Sequence, residues 1–277
     1  MIQWKKNLYV MCICQFLTVS GMSLVMPFLP FYIRELGVAK KEEVEAFSGW
    51  IFGGPFLVSA ILAPIWGELG DRYGRKTMVV RAVIGLAFTN FITGFITTVE
   101  QLLIIRLLQG AISGFVPAAI ALVSVSTPEN KNGYALGILH TSLAIAAVVG
   151  PVIGGTIADA VGSYRILFFI ISGICILTGL LVGIFVKEAN RPPDIRKNSY
   201  IKGLTGNVVF SFSHSEIRFS LFIILLSQFS IMAITPVFAL FIEEFGVDKN
   251  IISTVTGTAI AVGGVAMAIS APIWGKI

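Results

Sequence analysis

The chain has 277 residues, of which 56% are hydrophobic and 13% charged, and its mean hydropathy is +0.88. A soluble domain carries about twice that charged fraction, so an ordinary water-soluble enzyme or binding module is excluded. The net charge of +5 raises nucleic acid as a partner, but the basic residues sit in short loops between apolar runs, as in loops that orient a membrane protein, with no aromatic-interleaved soluble patch.

A helix needs about 20 mainly apolar residues to cross the hydrocarbon core of a bilayer. Eight runs qualify, at 8–33, 47–67, 78–98, 101–125, 134–157, 165–186, 218–242 and 251–274. The first comes after the basic stretch Met1 to Lys6 and imitates a secretory leader. It is too long for a leader and lacks a small-x-small cleavage site, so it is expected to remain as a span. Cys12, Cys14 and Cys175 lie inside spans, with no His or Cys at metal-ligand spacing. They read as small buried hydrophobes, and neither a metal site nor a cofactor is expected.

The second span leads into Gly67-Glu68-Leu69-Gly70-Asp71-Arg72-Tyr73-Gly74-Arg75-Lys76. Its three glycines permit a tight reversal with positive φ. Asp71 is placed to meet a helix N-terminus or a cationic side chain, and Arg75 an acidic partner on the same face. Such pairs hold one arrangement of a gate. The fourth span carries Arg106-Leu107-Leu108-Gln109-Gly110. A charge near mid-span costs several kcal/mol and belongs in the protein interior or a watery cavity; the alternative is an arginine snorkelling to the interface. The fifth span carries Gly150-Pro151-Val152-Ile153-Gly154-Gly155. Gly150 and Gly154 share a helix face that admits another backbone, and Pro151 introduces a bend. The eighth span offers small residues in Gly257, Ala261 and Gly264, which predicts close contact between the fifth and eighth spans.

From about Lys187 to Ile217 runs the longest connection, with Arg191-Pro192-Pro193 and an amphiphilic stretch at 201–212. It reads as a linker, with a helix on the inner membrane surface as one possibility. The chain beyond this linker repeats its own beginning. Pro27-Phe28-Leu29-Pro30-Phe31 recurs as Pro236-Val237-Phe238-Ala239-Leu240, an offset of 209 (236 − 27). Ala63-Pro64-Ile65-Trp66-Gly67 recurs as Ala271-Pro272-Ile273-Trp274-Gly275, an offset of 208 (271 − 63). Two copies in one orientation form the parallel repeat of transporters built from two halves. The second copy stops at Ile277, so the chain reads as C-terminally truncated, with about four more spans needed to finish it. Of the 20 lysines and arginines, Arg34, Lys40, Lys41, Arg165 and Lys249 fall on one side, Arg106 lies within a span, and the other fourteen fall on the side of the N-terminus. That bias puts the N-terminus in the cytoplasm.

The 67–76 loop resembles the signature loop of the major facilitator superfamily. Arg106 to Gly110 resembles that superfamily's R-x-x-Q-G motif, and Gly150 to Gly155 its antiporter motif, found chiefly in drug:proton exporters. The three stand in the family's order, and Ser23 to Pro30 with Gly114 to Pro117 extend the likeness to bacterial multidrug exporters of the 12-helix drug:proton antiporter type. The resemblance implies an all-α membrane protein of major facilitator fold. It would comprise a complete N-terminal six-helix bundle at 1–186, a cytoplasmic linker at 187–217, and the first two helices of a C-terminal bundle at 218–277. It also implies a multi-pass protein of the plasma (inner) membrane, monomeric, with small amphiphilic molecules and protons as partners and no nucleic acid. Gly67, Asp71, Arg72, Gly74 and Arg75 would form the conformational switch. Arg106 with Gln109 would assist proton movement, and Gly150, Pro151, Gly154 and Gly155 would seal the cavity. Met22, Met26, Phe115, Gln228 and Met232 would line the cavity, as soft or polar residues on spans that flank it; packing accounts equally well for each.

Many proton-coupled exporters carry a carboxylate in span one, four or seven, and here those spans have none. Asp159 reads as a loop cap and His140 as a hydrogen-bonded interior residue. The expected function is secondary active export of amphiphilic drugs by alternating access, with proton antiport coming from the resemblance alone. No nucleotide-binding loop, metal pattern or nucleophile elbow points to an enzyme. Rival readings are a sugar or metabolite facilitator, which would want a polar cavity, and a non-transporting fragment.

Overall fold

A computed structural model describes residues 3–188 and 213–274, excluding the side chains at 224, 228, 231, 236 and 267–274. The 201–212 stretch and most of the linker therefore lie outside the described residues, as does the side chain of Gln228. The described secondary structure is helical: α1 (Gln3–Ser23), α2 (Leu29–Glu35), α3 (Lys41–Tyr73), α4 (Arg75–Thr93), α5 (Val99–Ile112), α6 (Phe115–Ser126), α7 (Asn132–Val161), α8 (Arg165–Phe185), α9 (Ser215–Glu244) and α10 (Ile252–Trp274). Seven segments are long and apolar enough to span a membrane among the described residues. The eighth expected span is α10, apolar over Ile252–Ala266, where its side chains are described. Residues 1–189 with 236–277 form one compact unit and 190–235 another. In the second unit the helical stretch Ser215–Thr235 is exposed, with Ser220, Ser227 and Ser230 donating to carbonyls four residues back.

Two expected spans prove to be broken. The first divides into α1, a short 3₁₀ turn at Met26–Phe28, and α2, with prolines near the start of both later pieces. Pro27 and Pro30 lack the N–H that a continuous helix would use. The fourth divides at Ser113 and Gly114, because Gly114 sits at φ +114, a conformation open to glycine and strained elsewhere. The second span runs on as helix from Lys41 through Tyr73, so Gly67 and Gly70 lie inside α3. Only Gly74 takes positive φ (+98), and the expected loop is a single-residue elbow between α3 and α4.

Between apolar helices in lipid there is no water to expel, so association depends on close backbone approach and interhelical hydrogen bonds. Both are present. Thr18 on α1 meets Thr178 on α8 at 3.3 Å, and Ser172 on α8 donates to the Ala87 carbonyl of α4 at 2.9 Å. At Gly110 on α5 the backbone of Pro55 in α3 lies so near that a Cβ would come within 2.6 Å of its Cα. Tyr32, Phe28, Phe168 and Met11 are the largest side chains fully enclosed among these helices.

Candidate functional site

The α3–α4 elbow is a closed electrostatic unit. Asp71 and Arg75 form an ion pair one helical turn apart across it. The backbone N–H groups of Arg75 and Lys76, at the start of α4, donate to Glu188 at 2.7 and 3.2 Å. A carboxylate is favoured there by the positive end of the helix dipole. Lys76 also donates to the Gly183 carbonyl at 2.8 Å, tying the elbow to the end of α8. Arg72 lies over Tyr73, 5.6 Å from its ring centroid, and takes no part in the pairing recorded between Asp71 and Arg75. Glu188 had no signal in the sequence: it is one carboxylate at the mouth of a linker, 112 residues from Lys76.

Beyond the elbow the chain braces the break in its fourth span. Trp66 on α3 donates its indole N–H to the Ala111 carbonyl at 2.8 Å. Arg81 on α4 lies 3.4 Å from the Trp66 ring centroid and donates to the Ser113 carbonyl at 3.1 Å. Ala111 lies in the last turn of α5 and Ser113 is its cap, where carbonyls have no helical donor left.

Arg106 is 3% exposed and about 10 Å from the start of α5, so it faces the interior and does not snorkel. Nη1 donates to Gln109 Oε1 at 2.9 Å, while Nε and Nη2 find no protein partner. The guanidinium carbon lies 5.8 Å from the ring centroid of Phe168, which itself packs on Tyr32 at 4.9 Å. An aromatic face compensates a cation only partly, so Arg106 is a buried charge with unused donors. Gln15 on α1 is also buried with both amide atoms unpartnered.

The Gly-Pro element has two faces. Gly150 and Gly154 were expected to meet the eighth span, but they face α1 and the residue that follows it: a Cβ at Gly150 would fall 2.7 Å from the Ser20 carbonyl oxygen, and one at Gly154 2.7 Å from the Leu24 carbonyl carbon. Contact with the eighth span does exist, made by other residues. A Cβ at Gly155 would fall 2.6 Å from the Ser253 carbonyl carbon, and one at Gly257 2.7 Å from the Pro151 carbonyl carbon. Gly264 faces Val148 further along. The reason is helical geometry: positions 154 and 155 lie about 100° apart, so adjacent glycines serve different neighbours.

At the opposite end from the elbow, charged residues join segments distant in sequence. Arg34 Nη1 donates to both carboxylate oxygens of Glu243, at 2.8 and 2.5 Å, and Lys41 donates to Glu244 at 2.6 Å. Asp159, expected to cap its own loop, instead caps α10, accepting from the Ser253 and Thr254 N–H groups at 3.3 and 2.7 Å and from the Thr254 hydroxyl at 2.7 Å. Tyr164 packs against Phe28 and Phe31 and shares a 2.7 Å hydrogen bond with Ser253. Burial pushes its phenol up to about 12, so it stays protonated.

The cavity candidates are scattered. Met22 and Met26 are half-buried, Phe115 is 2% exposed and belongs to the core, and Met232 is exposed on α9. His140, expected inside, is exposed on α7.

Membrane-length helices, a sequence that repeats in parallel and an arginine buried within a span define the class of two-halved membrane transporters. The sequence profile of the Major Facilitator Superfamily matches residues 11–277, and the chain belongs to that family. It is 38% identical over 275 residues to the multidrug resistance protein MdtG of Proteus mirabilis (strain HI4320), covering 99% of this chain and 67% of that protein. Against MdtG of Salmonella typhimurium (strain LT2) it is 38% identical, covering 100% and 67%. The chain thus spans about two thirds of these relatives' length. In fold it is similar to a bacterial homologue of the human lysosomal transporter Spinster, inward-facing and unoccupied, with a TM-score of 0.73, 16% identity, and coverage of 100% and 64%. A D-xylose–proton symporter is also similar, with a TM-score of 0.72, 13% identity, and coverage of 99% and 70%.

Proposed function

We propose that this chain exports small amphiphilic drugs across the plasma membrane by alternating access, in exchange for protons. The observation that carries the reading is its 38% identity, along the whole chain, to proteins named for multidrug resistance. The geometry supports a transport role in two ways. Arg106 keeps unused donors in the interior, where a charge is costly unless it has work to do. The Gly155–Ser253 and Gly257–Pro151 contacts between α7 and α10 are made at glycines against backbone, which lets the two helices approach closely.

In this reading the N-terminus and the Asp71–Arg75 elbow face the cytoplasm, as the basic bias of the loops supports. The ion-paired end faces outward. Residues 187–217 link two halves, the protein works as a monomer without a cofactor, and it catalyses no covalent reaction. Arg106 and Gln109 serve proton coupling, and Met22 and Met26 stay candidates for the cavity wall.

The test is ethidium accumulation in bacteria lacking their main exporters. Cells making the protein should hold less dye, a protonophore should abolish the difference, and Arg106→Ala should remove it. Efflux that persists with the protonophore present ends the proton-exchange reading, and unchanged efflux with Arg106→Ala ends the role given to that residue.

A further inference from the structure

The two residues of the Arg34–Glu243 pair are 209 residues apart. That is also the offset that carries Pro27 onto Pro236 in the internal repeat. Arg34 and Glu243 therefore occupy the same position in the two copies, as do Glu35 and Glu244. The helices that carry them end alike, in glycines at positive φ: Gly37 at +98 and Gly246 at +73. In a parallel repeat the copies are related by an axis along the membrane normal. Equivalent residues lie at equal distances from such an axis, so they touch only where both lie against it. The contact at 2.8 and 2.5 Å thus marks the line where the two copies meet at this end.

Perfect repetition would put like charges together on that line. Here one copy carries arginine and the other glutamate, and repulsion becomes a charge-assisted pair. Lys41–Glu244 reinforces it, and Asp159 clamps the start of α10 nearby. The pair borders an open pocket of about 250 Å³ lined by Arg34, Lys41, Leu240, Glu243 and Glu244. Leu240, which lines that pocket, is 5% exposed.

We infer that Arg34 and Glu243 form the latch that closes the transporter at this end, on the axis of the repeat, and that opening here requires the pair to separate. The inference rests on the alternating-access reading. The latch depends on opposite charge at the two positions, not on which copy carries which sign.

Charge exchange tests it. The reporter is Leu240→Cys in a background with Cys12, Cys14 and Cys175 replaced by serine, labelled in whole cells with a membrane-impermeant maleimide. Arg34→Glu and Glu243→Arg should each raise the labelling rate by about fivefold, the scale of one partly exposed ion pair. The double exchange should return it to within about twofold of the parent. Singles that label like the parent, or a double exchange that stays as open as the singles, overturn the latch. Should a reversal variant fail to reach the membrane, Arg34→Gln and Glu243→Gln replace it, each expected to raise labelling and the pair to raise it no further. Labelling needs no transported drug. Latch behaviour in a protein that exports no ethidium would sink the export reading and leave the latch; export without the labelling pattern would do the reverse.

Discussion

Gly155→Ala is the substitution with the clearest structural consequence. The added carbon would meet the Ser253 carbonyl oxygen, and would lie 2.6 Å from the Ser253 carbonyl carbon and 2.9 Å from the Thr254 nitrogen. These are backbone atoms at the start of α10, unable to rotate away, so α7 and α10 must separate by up to about 1 Å. Overpacking of this kind costs about 1–3 kcal/mol. At about 1.4 kcal/mol per decade, that is a roughly 5- to 140-fold bias against the conformation in which α7 and α10 touch. Because α1 packs on the other face of α7, the bundle itself should be little affected. Gly154→Ala, which drives a carbon into the Leu24 backbone just past the end of α1, should lower the thermal midpoint of the purified protein instead. Gly137→Ala has nothing within 4 Å and serves as the control. The assay pairs thermal midpoint with maleimide labelling of Leu240→Cys. Gly155→Ala should raise labelling with a near-parental midpoint, and Gly154→Ala should lower the midpoint. If both variants act alike, the division of the two faces is wrong.

Trp66→Phe removes the donor to the Ala111 carbonyl but keeps a ring under Arg81, and should cost about 1 kcal/mol of stability; Trp50→Phe, at a 62% exposed site, should cost nothing measurable in the same melt. Gly74→Ala forces a side chain onto φ +98 and toward Glu188, and should cost about 1–2 kcal/mol or more, whereas Gly49→Ala meets nothing within 4 Å; equal midpoints for the two would refute the elbow geometry. The Lys41 ammonium holds the Glu244 carboxyl below the usual carboxylate range. A depressed carboxylate keeps its pair intact above its ordinary value and loses it as pH falls through the lowered one. Labelling of Leu240→Cys, divided at each pH by the labelling of the same protein in denaturant so that the changing thiolate fraction cancels, should therefore be flat through neutral pH and rise only in acid, below the ordinary carboxyl value of 4.5; a rise in that ratio near pH 7 would show that another group controls this end.

The spans were legible because length and polarity alone define them, and the family because three short motifs stand in order. What escaped the sequence was the breaks and the partners. Pro27, Pro30 and Gly114 were visible, but a proline or glycine in a long apolar run can mark a kink, a break or nothing, and neighbouring side chains decide which. Trp66 and Arg81 decide it for Gly114, by supplying donors to the carbonyls that the break exposes. In the sequence, Glu188 and Asp159 read only as linker or loop residues. Each caps a helix belonging to another segment, at sequence separations of 112 and 95 residues, beyond the reach of any local pattern. The repeat offset, in contrast, was plain in the sequence, yet the meeting of Arg34 with its counterpart needed coordinates.

The Gly-Pro element gains a different meaning from its two faces. In lipid, a close backbone approach supplies attraction that water would otherwise provide. Gly150 and Gly154 use it inside the first repeat, on α1, where the contact has no reason to break. Gly155 and the Pro151 carbonyl use it on α10, which belongs to the second repeat. On the alternating-access proposal, one short motif would therefore build a permanent seam and a separable one on different faces of a single helix. The separable seam is sealed at its end by Asp159, held by charge and hydrogen bonds to the first turn of α10. Apolar contact along the seam gives no preference for direction, whereas a charged clamp at one end makes parting there the costlier. Parting that starts at the other end, and pivots about the clamp, keeps the Asp159 bonds intact while the seam opens; parting at this end must break them first.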